Sequence, residues 1–360
     1  MQIFIHLLII MITFFVLAKV VDGYLIPTVL KIKSKLGLTD DQAGTLISFI
    51  SSAPELSVGM VALIVGIKSG DNGTVAIAAG TVIGSALFSL LFIVGVSSYF
   101  SVKTLSWHSV GRDMTYYLLA VMALFVFLKD GSVTTAEALF LLAMYGFYAF
   151  MVSKWNKIMN FYGHSVQISG GDSKNISEDS NRDFISRILS IFFIKINEKS
   201  SGFAFVVNVV VSCLFVILSS YFMVESAVAL AHITNISDAI ISLTILAVGT
   251  SIPDFITSVQ SAKMGYGDTA ISNAVGSNIF DILGNLGLTY LIGSIFTSGK
   301  VGVATENLNS SVILLFASAA VLVLIFVAKK FRLGKPISIG VATSYLIYLG
   351  YMIYQASKFS

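Results

Sequence analysis

Charge, cysteine, histidine and proline are all scarce in this chain. Asp, Glu, Lys and Arg make up 11% of its 360 residues, whereas soluble domains carry about 25%. Apolar residues reach 56% and the mean hydropathy is +0.89. A chain of this kind buries its apolar surface only in lipid, which excludes an ordinary soluble domain. The single cysteine, Cys213, excludes an intrachain disulfide and any Cys-rich metal site. It lies in an apolar stretch and reads as a small buried core residue. The four histidines, His6, His108, His164 and His232, are scattered and form no ligand pair. The net charge of +3 is too small to point to nucleic acid. Proline occurs four times, and two of the four stand beside an acid.

Long apolar runs are plentiful. Stretches near 20 residues mark membrane spans, and ten are predicted: 3–21, 42–67, 74–99, 114–128, 134–152, 203–224, 237–262, 269–296, 310–328 and 336–355. The first carries no Lys or Arg in residues 1–5 and no clear cleavage site, so it reads as a retained helix rather than a signal peptide. With the N-terminus placed outside, 18 of the 22 Lys and Arg fall on the inner side. That bias predicts both termini outside and a cytoplasmic central loop in a plasma membrane protein. The loop, 154–202, holds Gly170-Gly171-Asp172 and Glu178-Asp179-Ser180-Asn181-Arg182-Asp183. Its polarity reads as a solvated linker, too short for a regulatory domain of ordinary size. It separates a first half, 1–153, from a second, 203–360. Five spans per half is an odd number, so similar halves must cross in opposite senses. The expected fold is therefore an all-α integral membrane protein of ten helices, built as two inverted five-helix repeats.

The halves echo each other where polar residues enter the apolar runs. Ser51-Ser52-Ala53-Pro54-Glu55 in span two matches Thr250-Ser251-Ile252-Pro253-Asp254 in span seven, 199 residues later. Pro54 has no amide hydrogen for the carbonyl of Ile50, and Pro253 leaves that of Gly249 free, so spans two and seven must break. Freed carbonyls in a membrane need another helix, water or a cation. Gly84-Ser85-Ala86-Leu87-Phe88-Ser89 matches Gly276-Ser277-Asn278-Ile279-Phe280-Asp281 at an offset of 192. The smaller offset predicts seven more residues in the turn between the first pair of helices. Glycines let these helices approach the broken ones closely. The outcome is a cage of carboxylates, hydroxyls and carbonyls from Glu55, Asp254, Asp281, Ser51, Ser52, Thr250, Ser251, Ser85, Ser277 and Ser89. Oxygen ligands suit hard cations such as Ca²⁺ or Na⁺ and disfavour zinc or copper. A lone Ser-x-Pro is usually a kink and a lone Gly-Ser usually packing. Two matching pairs with acids at membrane depth are better explained as a transport site.

At these residues the chain resembles the cation/calcium exchanger superfamily, and within it the potassium-dependent sodium/calcium exchangers. Ser51-Ser52-Ala53-Pro54-Glu55-Leu56 and Gly80-Thr81-Val82-Ile83-Gly84-Ser85-Ala86 resemble that branch's first alpha repeat (about 42–99). Gly249-Thr250-Ser251-Ile252-Pro253-Asp254 and Gly276-Ser277-Asn278-Ile279-Phe280-Asp281 resemble its second (about 237–296). The resemblance implies an antiporter that exchanges Na⁺ for Ca²⁺ by alternating access. Glu55 and Asp254 would bind Ca²⁺, with the backbone carbonyls of Ser48 and Ala247 as further ligands. Asp281 matches the position associated with potassium, so K⁺ co-transport stays open. Ser89 departs from the Asn common there, which weakens one oxygen ligand.

Three ionised acids total −3, a charge that three Na⁺ balance, as do one Ca²⁺ plus one K⁺. An empty site would leave carboxylates uncompensated in the bilayer, which disfavours crossing unloaded. No cofactor is expected. The implied partners are the bilayer and inorganic cations, with no obligate protein partner. A Ca²⁺/H⁺ antiporter is the alternative, since carboxylates at depth can carry protons. A channel is disfavoured by the inverted repeats. An enzyme is disfavoured because no nucleophile, His pair or cofactor loop accompanies the acids.

Overall fold

The computed structural model describes residues 2–25, 27–28, 52–100, 107–161, 188–194, 202–263, 265, 267–305, 307–331 and 333–359. Ser48, Ser51, the first half of the second predicted span and most of the 154–202 linker lie outside the described residues. The chain folds as helices: α1 (Gln2–Val20, extended by a π turn Val21–Leu25), α2 (Ala53–Ser69), α3 (Asn72–Leu87), a π turn Phe88–Ile93, and α4 (Val94–Phe100). Then come α5 (Trp107–Leu128), α6 (Thr135–Phe161) and α7 (Gly202–Thr234). The seventh predicted span is α8 (Asp238–Ile241), a π turn Ser242–Leu246, α9 (Ala247–Thr250) and α10 (Ile252–Lys263). The eighth is α11 (Gly267–Ile279), a π turn Phe280–Asn285 and α12 (Leu286–Phe296). Helices α13 (Leu308–Ala328) and α14 (Lys335–Phe359) follow.

Among the described residues, eight helical stretches are long and apolar enough to cross a membrane, and the pair bent by 47° at Ser251 makes a ninth. Helix α2, at 17 residues, is the described part of the second predicted span. The third-span helix, Asn72–Phe100, has 94% of its apolar stretch buried, and the eighth-span helix 72%. Gly202–Thr234 has 33% and Gln2–Leu25 22%, so the third and eighth spans form the centre and these helices the lipid-facing rim. The larger core unites Leu87, Leu90, Tyr117, Leu283 and Leu315; a smaller one packs α1 on α7 and α2 through Ile10, Leu17, Val58 and Met223.

Two glycines set the closest approaches. A Cβ on Gly84 would lie 2.4 Å from the carbonyl oxygen of Leu243, and one on Gly66 would lie 2.7 Å from the backbone nitrogen of Val75. Only a bare backbone fits at either position. The turn between α2 and α3 is tight: Gly70 adopts φ 68°, and the Asp71 side chain caps α3 by accepting from Gly73 N at 2.8 Å. Burial pushes the Asp71 carboxyl up, but the bonds from Thr74 and Gly73 outweigh it and hold the group below its ordinary value.

Several expectations change. The seven additional residues of the first repeat lie in the helices, not in the turn: α2 has 17 residues against 12 in α10 and α3 has 16 against 13 in α11, while two positions separate the first pair and three the second. Extending a helix satisfies every backbone group inside lipid, whereas a longer loop there would not. Cys213 is exposed, because most of α7 is uncovered and its thiol faces outward as a small apolar group. The helix of the fourth span already includes Trp107, ahead of the predicted start at 114, which places Arg112 on the helix. There its Nε lies 2.7 Å from buried Asp113, and its guanidinium stacks 5.0 Å from the Trp155 ring centre. A two-stranded antiparallel ribbon, Ser132–Thr134 with Lys300–Gly302, joins the connections after α5 and α12.

Candidate functional site

The backbone conformation repeats at the two Pro-acid motifs. Ser52 has φ −86°, ψ 10° and Ser251 has φ −90°, ψ 3°, both in the sparsely populated bridge region. The helix restarts identically after each: Leu56 N donates to Ser52 O at 3.0 Å, and Phe255 N to Ser251 O at 3.0 Å. Glu55 and Asp254 therefore each sit in a first turn. Backbone amides there face the carboxylate, and the helix dipole favours its negative charge.

These restarts bring the acids together. Glu55, Asp254 and Asp281 are buried and close enough to repel one another. Thr250 lies beside Glu55, and Ser52 and Asn285 lie beside Asp281. The hydroxyls of Ser85 and Ser251 are 2.6 Å apart, a contact between α3 and the break at the end of α9. Ser277 turns back to the carbonyl of Ala274 at 3.4 Å, in its own helix. Ser89 is fully buried. The carbonyl of Ala247 already accepts from Ser251 Oγ at 2.9 Å, Thr250 Oγ1 at 3.3 Å and Ser251 N at 3.3 Å. It can face an ion only if these hydroxyls turn.

Several buried oxygens in this region have no hydrogen-bond partner among the described residues: Glu55 Oε2, Asp281 Oδ1, and the hydroxyls of Ser52, Ser89 and Thr81. Each such atom costs about 1–3 kcal/mol unless something satisfies it. Oxygens of this kind around paired carboxylates fit hard cations. Among the described residues, no group of three or more His, Cys, Asp or Glu could alone hold a metal ion. Hydroxyls, amides and carbonyls must complete any coordination shell.

The structure adds residues that the motifs did not single out. Asn285 is one turn beyond Asp281 and accepts from Thr289 Oγ1 at 3.4 Å. Asn278 Nδ2 donates to the carbonyl of Ala86 at 3.4 Å, across the two central helices. Positions 86 and 278 are each other's counterparts at the 192-residue offset. The signal for both was an amide in an otherwise apolar run. Serine and aspartate carry that signal more visibly beside glycine. The π turns Phe88–Ile93 and Phe280–Asn285 hold Ser89 and Asp281 and are also counterparts. Such turns are rare and gather at functional sites; no residue pattern in the chain announced them.

A family model described as "Sodium/calcium exchanger protein" matches residues 6–154 and 204–354. The human sodium/potassium/calcium exchanger 4 is 24% identical over 97% of this chain and 80% of its own length. The human sodium/potassium/calcium exchanger 5 is 29% identical, covering 87% of this chain and 77% of its own. Among solved structures, the sodium-calcium exchanger NCX_Mj aligns with a TM-score of 0.56 at 19% identity, over 97% of this chain and 99% of that one. A crystal structure of the H⁺/Ca²⁺ exchanger CAX aligns with a TM-score of 0.60 at 14% identity, over 99% and 88%. These structural likenesses bear on the all-α membrane fold; the family match covers most of both halves. The chain belongs to the sodium/calcium exchanger protein family, a multi-pass membrane antiporter of the cation/calcium exchanger superfamily.

Proposed function

We propose that this protein exchanges Na⁺ for Ca²⁺, with Glu55 and Asp254 as the paired carboxylates that hold Ca²⁺. The observation that carries the reading is the convergence of two helix restarts of matching geometry on buried, mutually repelling acids. Ser52, Thr250, Ser251, Ser85, Ser277 and Ser89 supply hydroxyls, and Ser51 with the carbonyls of Ser48 and Ala247 completes the shell. Asp281 adds the third negative charge and is the K⁺ ligand where K⁺ accompanies Ca²⁺. Relatives named sodium/potassium/calcium exchangers support that assignment. The halves 1–153 and 203–360 act as inverted repeats around this centre, with both termini outside and the 154–202 loop in the cytoplasm of a plasma membrane protein. Charge balance enforces exchange: the loaded cage is near neutral, and the unloaded cage carries negative charge that resists crossing.

Uptake of ⁴⁵Ca²⁺ into proteoliposomes, with Na⁺, K⁺ and pH gradients imposed one at a time, tests this. An outward Na⁺ gradient should drive uptake. Uptake driven by a pH gradient and indifferent to Na⁺ would overturn it in favour of Ca²⁺/H⁺ exchange.

A further inference from the structure

A second site lies at the rim, between α4 and α14. The two helices touch where Gly95 faces the first turns of α14: a Cβ on Gly95 would lie 2.7 Å from Ala342 N and 2.9 Å from Ser338 O. From that contact a groove of ≈ 360 Å³ opens, lined by Phe92, Val96, Ile339, Thr343 and Leu346, with Tyr99 and Phe100 at one end. That volume falls within the range of about 300–1,000 Å³ typical of ligand pockets. The lining is almost wholly apolar, and Ile339 and Leu346 are exposed. In a membrane-spanning bundle such a groove meets hydrocarbon, so an acyl chain can enter it from the side.

The aromatic end is charged. Lys263 Nζ, from the last residue of α10, lies 4.8 Å from the Phe100 ring centre. Lys335 Nζ, from the first residue of α14, lies 5.2 Å from the Tyr99 ring centre. The two rings meet edge to face at 5.4 Å. Both ammonium groups therefore gather at one mouth of the groove, held by ring faces. Both lysines are exposed, so each keeps donors for a phosphate. An apolar trough ending in two cations at a helix end is complementary to one kind of molecule. We propose that this groove binds an anionic phospholipid, one acyl chain in the trough and the phosphate between Lys263 and Lys335.

Native mass spectrometry of the purified full-length chain, incubated with equal amounts of phosphatidylglycerol and phosphatidylcholine, tests the proposal. The wild type should retain phosphatidylglycerol roughly 25-fold over phosphatidylcholine, given about fivefold for each of the two basic residues near a membrane surface. Lys263→Gln with Lys335→Gln should erase that preference and leave Ca²⁺ uptake unchanged. Thr343→Trp, filling the trough from an exposed position, should reduce retention of both lipids, and Leu346→Trp should do the same independently. Three results would each overturn the proposal: no headgroup preference in the wild type, a preference that survives the double Gln variant, or undiminished lipid retention in both Trp variants in monodisperse protein. Displacement of the lipid by millimolar inorganic phosphate would instead identify a soluble-anion site.

Discussion

The hairpin α2–α3 and the hairpin α10–α11 start alike, yet they are built of different material. Ser52 and Ser251 share one backbone conformation, and both hairpins end in a π turn at the same offset. The third-span helix is then almost entirely wrapped by protein and offers Ala86, Ser89 and Ile93 at the central positions. Its counterpart offers Asn278, Asp281 and Asn285 there. The first copy is a tall, close-packed wall; the second is shorter after its break and carries the amides and the additional acid. The main chain of the repeat and its polar content are thus separable. Two-fold geometry places the carboxylates, and unequal side chains decide which further ion the cage accommodates.

The largest test of this contrast is to neutralise the paired acids one at a time. Glu55→Gln and Asp254→Asn should each weaken Ca²⁺ affinity on the order of 1,000-fold, matching the roughly 3–5 kcal/mol lost when one member of a buried charged pair is removed. Concentration-dependent ⁴⁵Ca²⁺ uptake measures it, and a tenfold difference between the two variants would break the equivalence of the restarts. Next, Gly84→Ala should destabilise by about 2–3 kcal/mol through overpacking, because its Cβ meets the backbone of Leu243 at 2.4 Å. Gly80→Ala should cost less, since its nearest obstacle is the Ser242 hydroxyl, which can rotate. Thermal unfolding of the two purified variants in parallel separates them. Asp281→Asn should reduce any K⁺ stimulation roughly tenfold, a loss of about 1.4 kcal/mol, while Na⁺-driven uptake persists. An unchanged K⁺ response would remove Asp281 from that role. Smallest is Asn278→Ala, which deletes the bond to the Ala86 carbonyl and should lower stability by about 1 kcal/mol, read as a modest fall in Tm.

Much of this architecture was legible in the residues. The Pro-acid pairs located the break at 251 and the helix start after 52, because a missing amide hydrogen in lipid leaves few alternatives. The apolar runs located the spans, because span length is set by bilayer thickness. The additional length of the first hairpin was visible as a number but not as a place, since an offset cannot distinguish a longer turn from a longer helix. Asn285, whose partner Thr289 is one turn on in the same helix, was passed over as a lone amide in an apolar run; Asn278 was passed over because its partner is a carbonyl of the other half. Cross-helix pairing has no signature along one strand of sequence.

The paired π turns also have a mechanical consequence. Each holds a single-residue excess in a helix, and the two sit at equivalent registers, Phe88–Ile93 and Phe280–Asn285. Ser89 and Asp281 are therefore presented from the same widened turn, so exchanging the two side chains would move the third acid from one half to the other on an equivalent backbone.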